Sequence, residues 1–307
     1  MKIKILIAAL AALTAASGAS FAQVPPDIAA GIRKIGQVSD PPNTAKLYAP
    51  LFAEQKEPYP NVTVTRDVAY GPDALEKLDV FTPSGAGSGR TVVIYVHGGG
   101  FERGNKHGAN SPYYDNIMLW LAQQGMVGVN INYRLAPQST WPAAQQDLAA
   151  AVRWVQQNIA QHGGDGDRVA LWGESAGASL IASYLAHPEF WGPKGYGVKA
   201  AVMNSGFYEN DRGASAYFGS DPQELKARSS TEGLKKLTIP LFISHTEVDL
   251  PAAIRLAEQT RKALCDAGRC PIYAEFKDHG HISQGYSVGT PDTSVSGPVL
   301  QVLQQVK

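Results

Sequence analysis

The sequence predicts an α/β fold: a mostly parallel central sheet, helices on both of its faces, and a small cap supplied by the N-terminus or by an insertion. Three observations carry this expectation. Apolar runs without polar alternation recur along the chain, the pattern of strands buried on both faces. Stretches with apolar residues at helical spacing separate them, and strands taking turns with helices build parallel sheets. The composition, 44% hydrophobic and 18% charged over 307 residues, suffices for a full core.

The elements follow in order. Lys2 and Lys4, an apolar run over 5–13 and Ser20-Phe21-Ala22 have the layout of a secretory signal peptide over 1–22, with cleavage expected after Ala22. The Pro-rich stretch 23–60 is expected as a short helical cap segment on a main domain covering 61–307. Strands are expected over 62–69 and 77–81, split by the turn signal Tyr70-Gly71-Pro72-Asp73. After a Gly/Ser loop come buried-type strands over 91–96, 126–132, 168–172, 199–204, 241–245 and 272–276. Helices are expected over 142–161, where Leu148, Val152, Val155 and Ile159 share a face, and over 251–267 and 298–306, each with a proline tolerated in its first turn. Residues 207–238 interrupt the alternation as a small cap insertion.

Charge and cysteine usage narrow the function. Lys and Arg number 27 against 27 Asp and Glu, so the basic footprint of nucleic-acid binding is missing. An exported chain meets an oxidising compartment, and Cys265 and Cys270 are expected as a disulfide stapling a helix to the next strand, worth roughly 2 kcal/mol by loop entropy. The expected location is secreted or periplasmic. No cysteine follows the signal segment in a lipobox-like setting, so no stable membrane anchor is expected. The oligomeric state is not written in the sequence.

The chemistry centres on Gly173-Glu174-Ser175-Ala176-Gly177, of form G-x-S-x-G. It directly follows strand 168–172 and precedes a helix-like run over 178–186, the setting of a nucleophile elbow. A second match, Gly285 to Gly289 around Ser287, follows no strand and is taken as a loop coincidence. A serine hydroxyl needs a base, and the base an orienting acid. In such a sheet these lie on loops beyond later strands, in the order serine, acid, histidine. The loop after 241–245 offers Glu247 and Asp249, of which Asp249 is preferred as the acid. The loop after 272–276 offers His279 and His281, of which His281 is preferred as the base, although topology alone does not separate them. Upstream, His97-Gly98-Gly99-Gly100-Phe101 leaves strand 91–96 with three glycines whose N–H groups can face a developing oxyanion. Phe101, Phe207 and Tyr208 fall near strand ends beside these loops and are candidate walls of a substrate pocket. His245, Asp278, His279 and His281 lack metal-site spacing, and neither metal nor cofactor is expected.

These blocks, with Tyr133-Arg134-Leu135-Ala136-Pro137, Pro142-Ala143-Ala144, Asp147 and Gly164-Asp165, resemble the hormone-sensitive-lipase-like group of α/β-hydrolase carboxylesterases. The resemblance runs over roughly 62–307. It implies Ser175 as nucleophile, Asp249 as acid and His281 as base, with the N–H groups of Gly99, Gly100 and Ala176 as oxyanion donors and His97 bracing the glycine loop. Glu174 departs from the Asp more usual in this group and is shared with type-B carboxylesterases and some feruloyl-esterase-like hydrolases. The resemblance thus implies a serine carboxylic-ester hydrolase acting on a small-molecule ester. The alternatives are a feruloyl or aryl esterase, an amidase or peptidase with the same triad, or a non-catalytic binding module on this fold.

Overall fold

The computed structural model describes residues 21–307 except 86, 109, 110 and 212. All but the last two residues of the expected signal segment lie outside the described residues. Two helices come first, α1 (Pro26–Ile35) and α2 (Pro41–Tyr48), followed by a 3₁₀ turn at Ala49–Phe52. Proline opens both helices, where a missing N–H costs nothing. Asp40 caps α2 by accepting from Asn43 N–H.

The body then alternates as β1 (Val62–Ala69), β2 (Lys77–Pro83), β3 (Arg90–Val96), α3 (Asp115–Gln123), β4 (Val127–Ile131), α4 (Ala143–Asn158), β5 (Gly164–Glu174), α5 (Ala176–Ala186) and β6 (Ala200–Asn204). It continues with the short helices α6 (Pro222–Ala227) and α7 (Thr231–Leu234), then β7 (Leu241–Val248), α8 (Pro251–Asp266), β8 (Ile272–Gly280), α9 (Ser283–Tyr286) and α10 (Ser296–Leu303). The eight strands form one sheet in the order β1-β2-β4-β3-β5-β6-β7-β8. β2 pairs antiparallel with both β1 and β4, and every other pairing is parallel.

Both faces are covered, as unalternating strands require. Along β3, Val92, Ile94 and Val96 join a core with α4, α5 and α8, while Val93 and Tyr95 join a second core with α3 and α10. Trp172 of β5 anchors that second core between Tyr95 and Trp120, and its indole N–H reaches Asn204 Oδ1 at 2.6 Å. A third cluster packs Ile28, Ile32 and Tyr48 against Ile282 and Tyr286, so the N-terminal helices sit on the loop that follows β8.

Strand order places the site. The chain steps from β3 outward to β4, then returns to β5 on the other side of β3. Ligands bind beyond the carboxyl ends of strands at such a switch, and here those ends carry the 97–101 loop and Ser175.

Two details differ from the sequence expectations. Helix α3 has no amphipathic stripe, because Asp115 to Ala122 are buried all round it, so periodicity does not announce it. β8 runs on to Gly280 rather than ending at 276, delivering the histidine loop directly from the sheet. Ser287 lies, as expected, outside the regular elements, in the buried turn directly after α9, where its hydroxyl donates to Gln284 O at 3.3 Å.

Cys265 and Cys270 are bonded, joining the end of α8 to the start of β8. The bond sits at the far end of β8 from His281. Reducing it is expected to lower unfolding free energy by roughly 2 kcal/mol and leave turnover of a soluble substrate unchanged, checked by urea titration and assay with and without reductant.

Candidate active site

Ser175 stands on a forced bend. Its φ and ψ are 53° and −122°, a conformation that costs a non-glycine residue about 1–3 kcal/mol. Small neighbours make the bend possible: a Cβ on Gly177 would lie 2.0 Å from Val96 O, so β3 and α5 can close on the elbow only over glycine. The Ser175 N–H is tied to Asn204 O at 2.9 Å, and Ser179 N–H returns to Ser175 O at 3.0 Å. The hydroxyl is thereby held at the head of α5, facing the cavity.

Ser175 Oγ lies 2.9 Å from His281 Nε2, and His281 Nδ1 lies 2.6 Å from Asp249 Oδ1. His281 and Asp249 are buried, while Ser175 is half-buried. Burial alone would raise the Asp249 carboxyl. The hydrogen bond and charge of His281, the Ser205 hydroxyl at 2.5 Å and the Thr246 N–H at 3.0 Å outweigh it and hold the group below the usual carboxylate range. Asp249 is therefore an anion whose oxygens are all engaged, since Leu250 N–H also reaches Oδ1 at 2.8 Å.

The other sequence candidates are elsewhere. Glu247 accepts the Asp278 N–H at 2.8 Å. His279 is buried behind the site, with Nδ1 2.9 Å from Ser283 Oγ and Nε2 2.9 Å from Ser294 Oγ and 3.2 Å from Asp292. Two residues that sequence reasoning passed over belong to the arrangement. Ser205, at φ 51° directly after β6, donates to Asp249, and Gln284 donates from Nε2 to Ser205 Oγ at 2.6 Å and to His281 O at 2.9 Å. The position of Ser205 at the end of a strand between β5 and β7 is a signal that could have found it. Gln284 has none in the sequence.

Above Ser175, the glycine loop turns back on itself. Gly99 and Gly100 take φ of +117° and +68°, and a Cβ on Gly99 would lie 1.9 Å from Arg103 O. Both glycines line the cavity beside Ala176, the first residue of α5, whose N–H belongs to the orphaned first turn. His97 braces this loop: its Nδ1 donates to Gly98 O at 2.7 Å, its ring stacks on Tyr133, and the Tyr133 hydroxyl donates to His97 O at 2.9 Å.

Burial pushes the His97 imidazole down from 6.5 to about 4. In the unfolded chain the same group takes a proton near 6.5. Between these values the unfolded state binds the extra proton, so stability is full above pH 6.5 and falls as pH drops toward 4, by up to ~1.4 kcal/mol per unit. Urea midpoints at pH 7 and pH 5 are expected to separate more in wild type than in His97→Gln; equal separation would contradict this.

The cavity over Ser175 has a volume of about 670 Å³. Phe101, Phe207, Phe218, Tyr113, Tyr114 and Tyr286 are among its walls. Phe101 stacks on Tyr217 at 4.4 Å between centroids. Tyr208, expected as a wall, does not line the cavity: it is 1% exposed and its hydroxyl points to Met203 O at 3.3 Å. Its ring turns into the core because Gly206 leaves room for it.

Comparison with known proteins fits this arrangement. Residues 78–188 match the BD-FAE family. Esterase LipQ of Mycobacterium tuberculosis (strain ATCC 25618 / H37Rv) is 30% identical over 243 residues, 71% of this chain and 56% of LipQ. The para-nitrobenzyl esterase of Bacillus subtilis (strain 168) is 38% identical over 140 residues, 42% of this chain and 27% of that protein. The chain has the α/β-hydrolase fold, and the matched stretches are similar to esterases. This α/β-hydrolase spans about half the length of LipQ and about a quarter of the Bacillus protein. Among solved structures, esterase B from Lactobacillus rhamnosis (HN001) superposes with a TM-score of 0.71 at 18% identity, covering 91% of this chain and 94% of that one, a likeness of fold. No described helix of the hydrolase is long and apolar enough to cross a membrane.

Proposed function

We propose that this α/β-hydrolase is a serine carboxylic-ester hydrolase that works through an acyl-enzyme. The observation that carries the reading is the unbroken path from Ser175 Oγ through His281 to Asp249 under an open cavity. Ser175 Oγ attacks the ester carbonyl carbon as His281 Nε2 takes its proton. The carbonyl oxygen, now an anion, is met by the N–H groups of Gly99, Gly100 and Ala176. Collapse breaks the bond to the alcohol oxygen, which leaves with the proton from His281. Water then repeats the sequence on the acyl-enzyme and releases the acid, and Asp249 holds the imidazole in the required tautomer throughout. No step calls for a cofactor.

The phenylalanines beside Ser175 favour small-molecule esters with an aryl or otherwise bulky group. The names of LipQ and the para-nitrobenzyl esterase are in keeping with ester hydrolysis. Export with cleavage after Ala22 belongs to the same reading, supported by the bonded Cys265–Cys270 pair. Amino-terminal sequencing of the exported protein is expected to begin at Gln23.

The test is a fluorophosphonate probe followed by peptide mapping, with matched p-nitrophenyl ester and anilide substrates. The expected result is one label, on Ser175, and turnover of the ester far above the anilide. A label elsewhere overturns the reading, and faster anilide cleavage replaces it with an amidase.

A further inference from the structure

The residue before Ser175 in the elbow is not used by the reaction described above, yet it is one of the most deeply placed acids in the molecule. Glu174, the last residue of β5, is 2% exposed. Its Oε1 accepts the Tyr114 hydroxyl at 2.8 Å, and the Gly98 N–H faces the same carboxyl. The approach of the glycine loop is very close: a Cβ on Gly98 would lie 2.6 Å from Oε1 and 3.1 Å from Ser175 Cβ. The Gly98 peptide is therefore held from two sides, its carbonyl by His97 Nδ1 and its N–H by Glu174. Gly99 and Gly100, the next two residues, take left-handed conformations, so the direction of their N–H groups depends on how Gly98 is seated.

We propose that the Tyr114–Glu174 pair is a positioning device for the oxyanion donors, seating Gly98 so that the N–H groups of Gly99 and Gly100 face the carbonyl carbon attacked by Ser175. This rests on the acyl-enzyme reading above. It assigns Glu174 no contact with substrate and no proton to transfer.

The surroundings use the Glu174 carboxyl as an acceptor. Glu174 Oε2 is buried without a hydrogen-bond partner among the described residues. Burial pushes the carboxyl upward despite the nearby His281 and the hydrogen bonds from Tyr114 and Gly98. The Tyr114 ring is locked in turn against Tyr95, with centroids 5.3 Å apart.

The test compares kcat and KM for p-nitrophenyl butyrate in wild type, Glu174→Ala, Glu174→Gln, Tyr114→Phe and Ser175→Ala. Losing one well-placed oxyanion donor costs ~10²–10³ in kcat, and a donor left in place but misaimed costs less. Glu174→Ala is expected to lower kcat by about 30-fold with KM held within about threefold, because the donors act on the transition state. Glu174→Gln, which keeps an oxygen for Gly98, is expected to recover most of that loss. Tyr114→Phe is expected to fall between wild type and Glu174→Ala, again in kcat, and these two variants decide the matter if Glu174→Ala does not fold. A trifluoromethyl ketone, whose adduct places an oxyanion in the same hole, is expected to bind more weakly to Glu174→Ala by the same factor as kcat/KM. Wild-type kcat in Glu174→Ala overturns the proposal, as does a loss in Glu174→Gln equal to that in Glu174→Ala, or a change confined to KM. If wild type hydrolyses no ester, or Ser175→Ala retains turnover, the acyl-enzyme reading fails instead, so the two failures are distinguishable.

Discussion

Ser175→Ala is expected to reduce kcat for p-nitrophenyl butyrate by ~10⁴-fold or more. The substitution removes the hydroxyl 2.9 Å from His281 Nε2 and leaves the rest of the cavity in place. Whatever rate remains would come from oxyanion donors acting on attack by water. Stability is expected to be unchanged or slightly raised, since φ 53° penalises alanine about as much as serine and the hydroxyl's bond is to His281 at the cavity edge. Steady-state kinetics with active-site titration check the rate, and thermal unfolding shows that the fold survives. Retention of more than a tenth of the wild-type rate would remove Ser175 from the mechanism.

Asp249→Asn carries the second large effect. The change is nearly isosteric, yet it asks an amide to accept from His281 Nδ1, Ser205 Oγ, Thr246 N–H and Leu250 N–H with a single oxygen. An NH₂ group facing Nδ1 favours the opposite imidazole tautomer, which presents a proton rather than a lone pair to Ser175. A loss of ~10⁴ in kcat is expected, with a stability cost of about 1–3 kcal/mol for the donors left unpaired. Because the anion is held below its usual range, wild-type Asp249 contributes stability that is present above the ordinary carboxylate pKa and lost as pH falls through its lower folded value. Unfolding free energy is therefore expected to fall less steeply with decreasing pH for the variant than for wild type over that window, read from urea titrations at stepped pH. If Asp249→Asn kept activity within tenfold, another carboxylate would have to orient the histidine.

Most of the frame was legible because it follows from local rules. Unalternating strands announced a sheet covered on both faces, and the glycines around Ser175 announced a bend that only small side chains permit. What was not legible depends on groups distant in sequence. Helix α3 is buried all round and so lacks the stripe that betrays a surface helix. Neither Ser205 nor Gln284 has a motif, because each acquires its partner only when β6, β7 and α9 come together. The choice between His279 and His281 is of the same kind. Both leave one strand end two residues apart, and packing against Ser283, Ser294 and Asp292 claims His279. Tyr208 shows the limit from the other side: proximity to a strand end does not fix which way a ring turns.

The seating of α1 and α2 on Ile282 and Tyr286 also orders events in time. These helices are among the first parts of the described chain to leave the ribosome, whereas their seat, Ile282 and Tyr286, is among the last. Closing so wide a span delays the contact until translation is nearly finished. Nascent chains that end before residue 281 lack both that seat and the histidine the proposed triad requires.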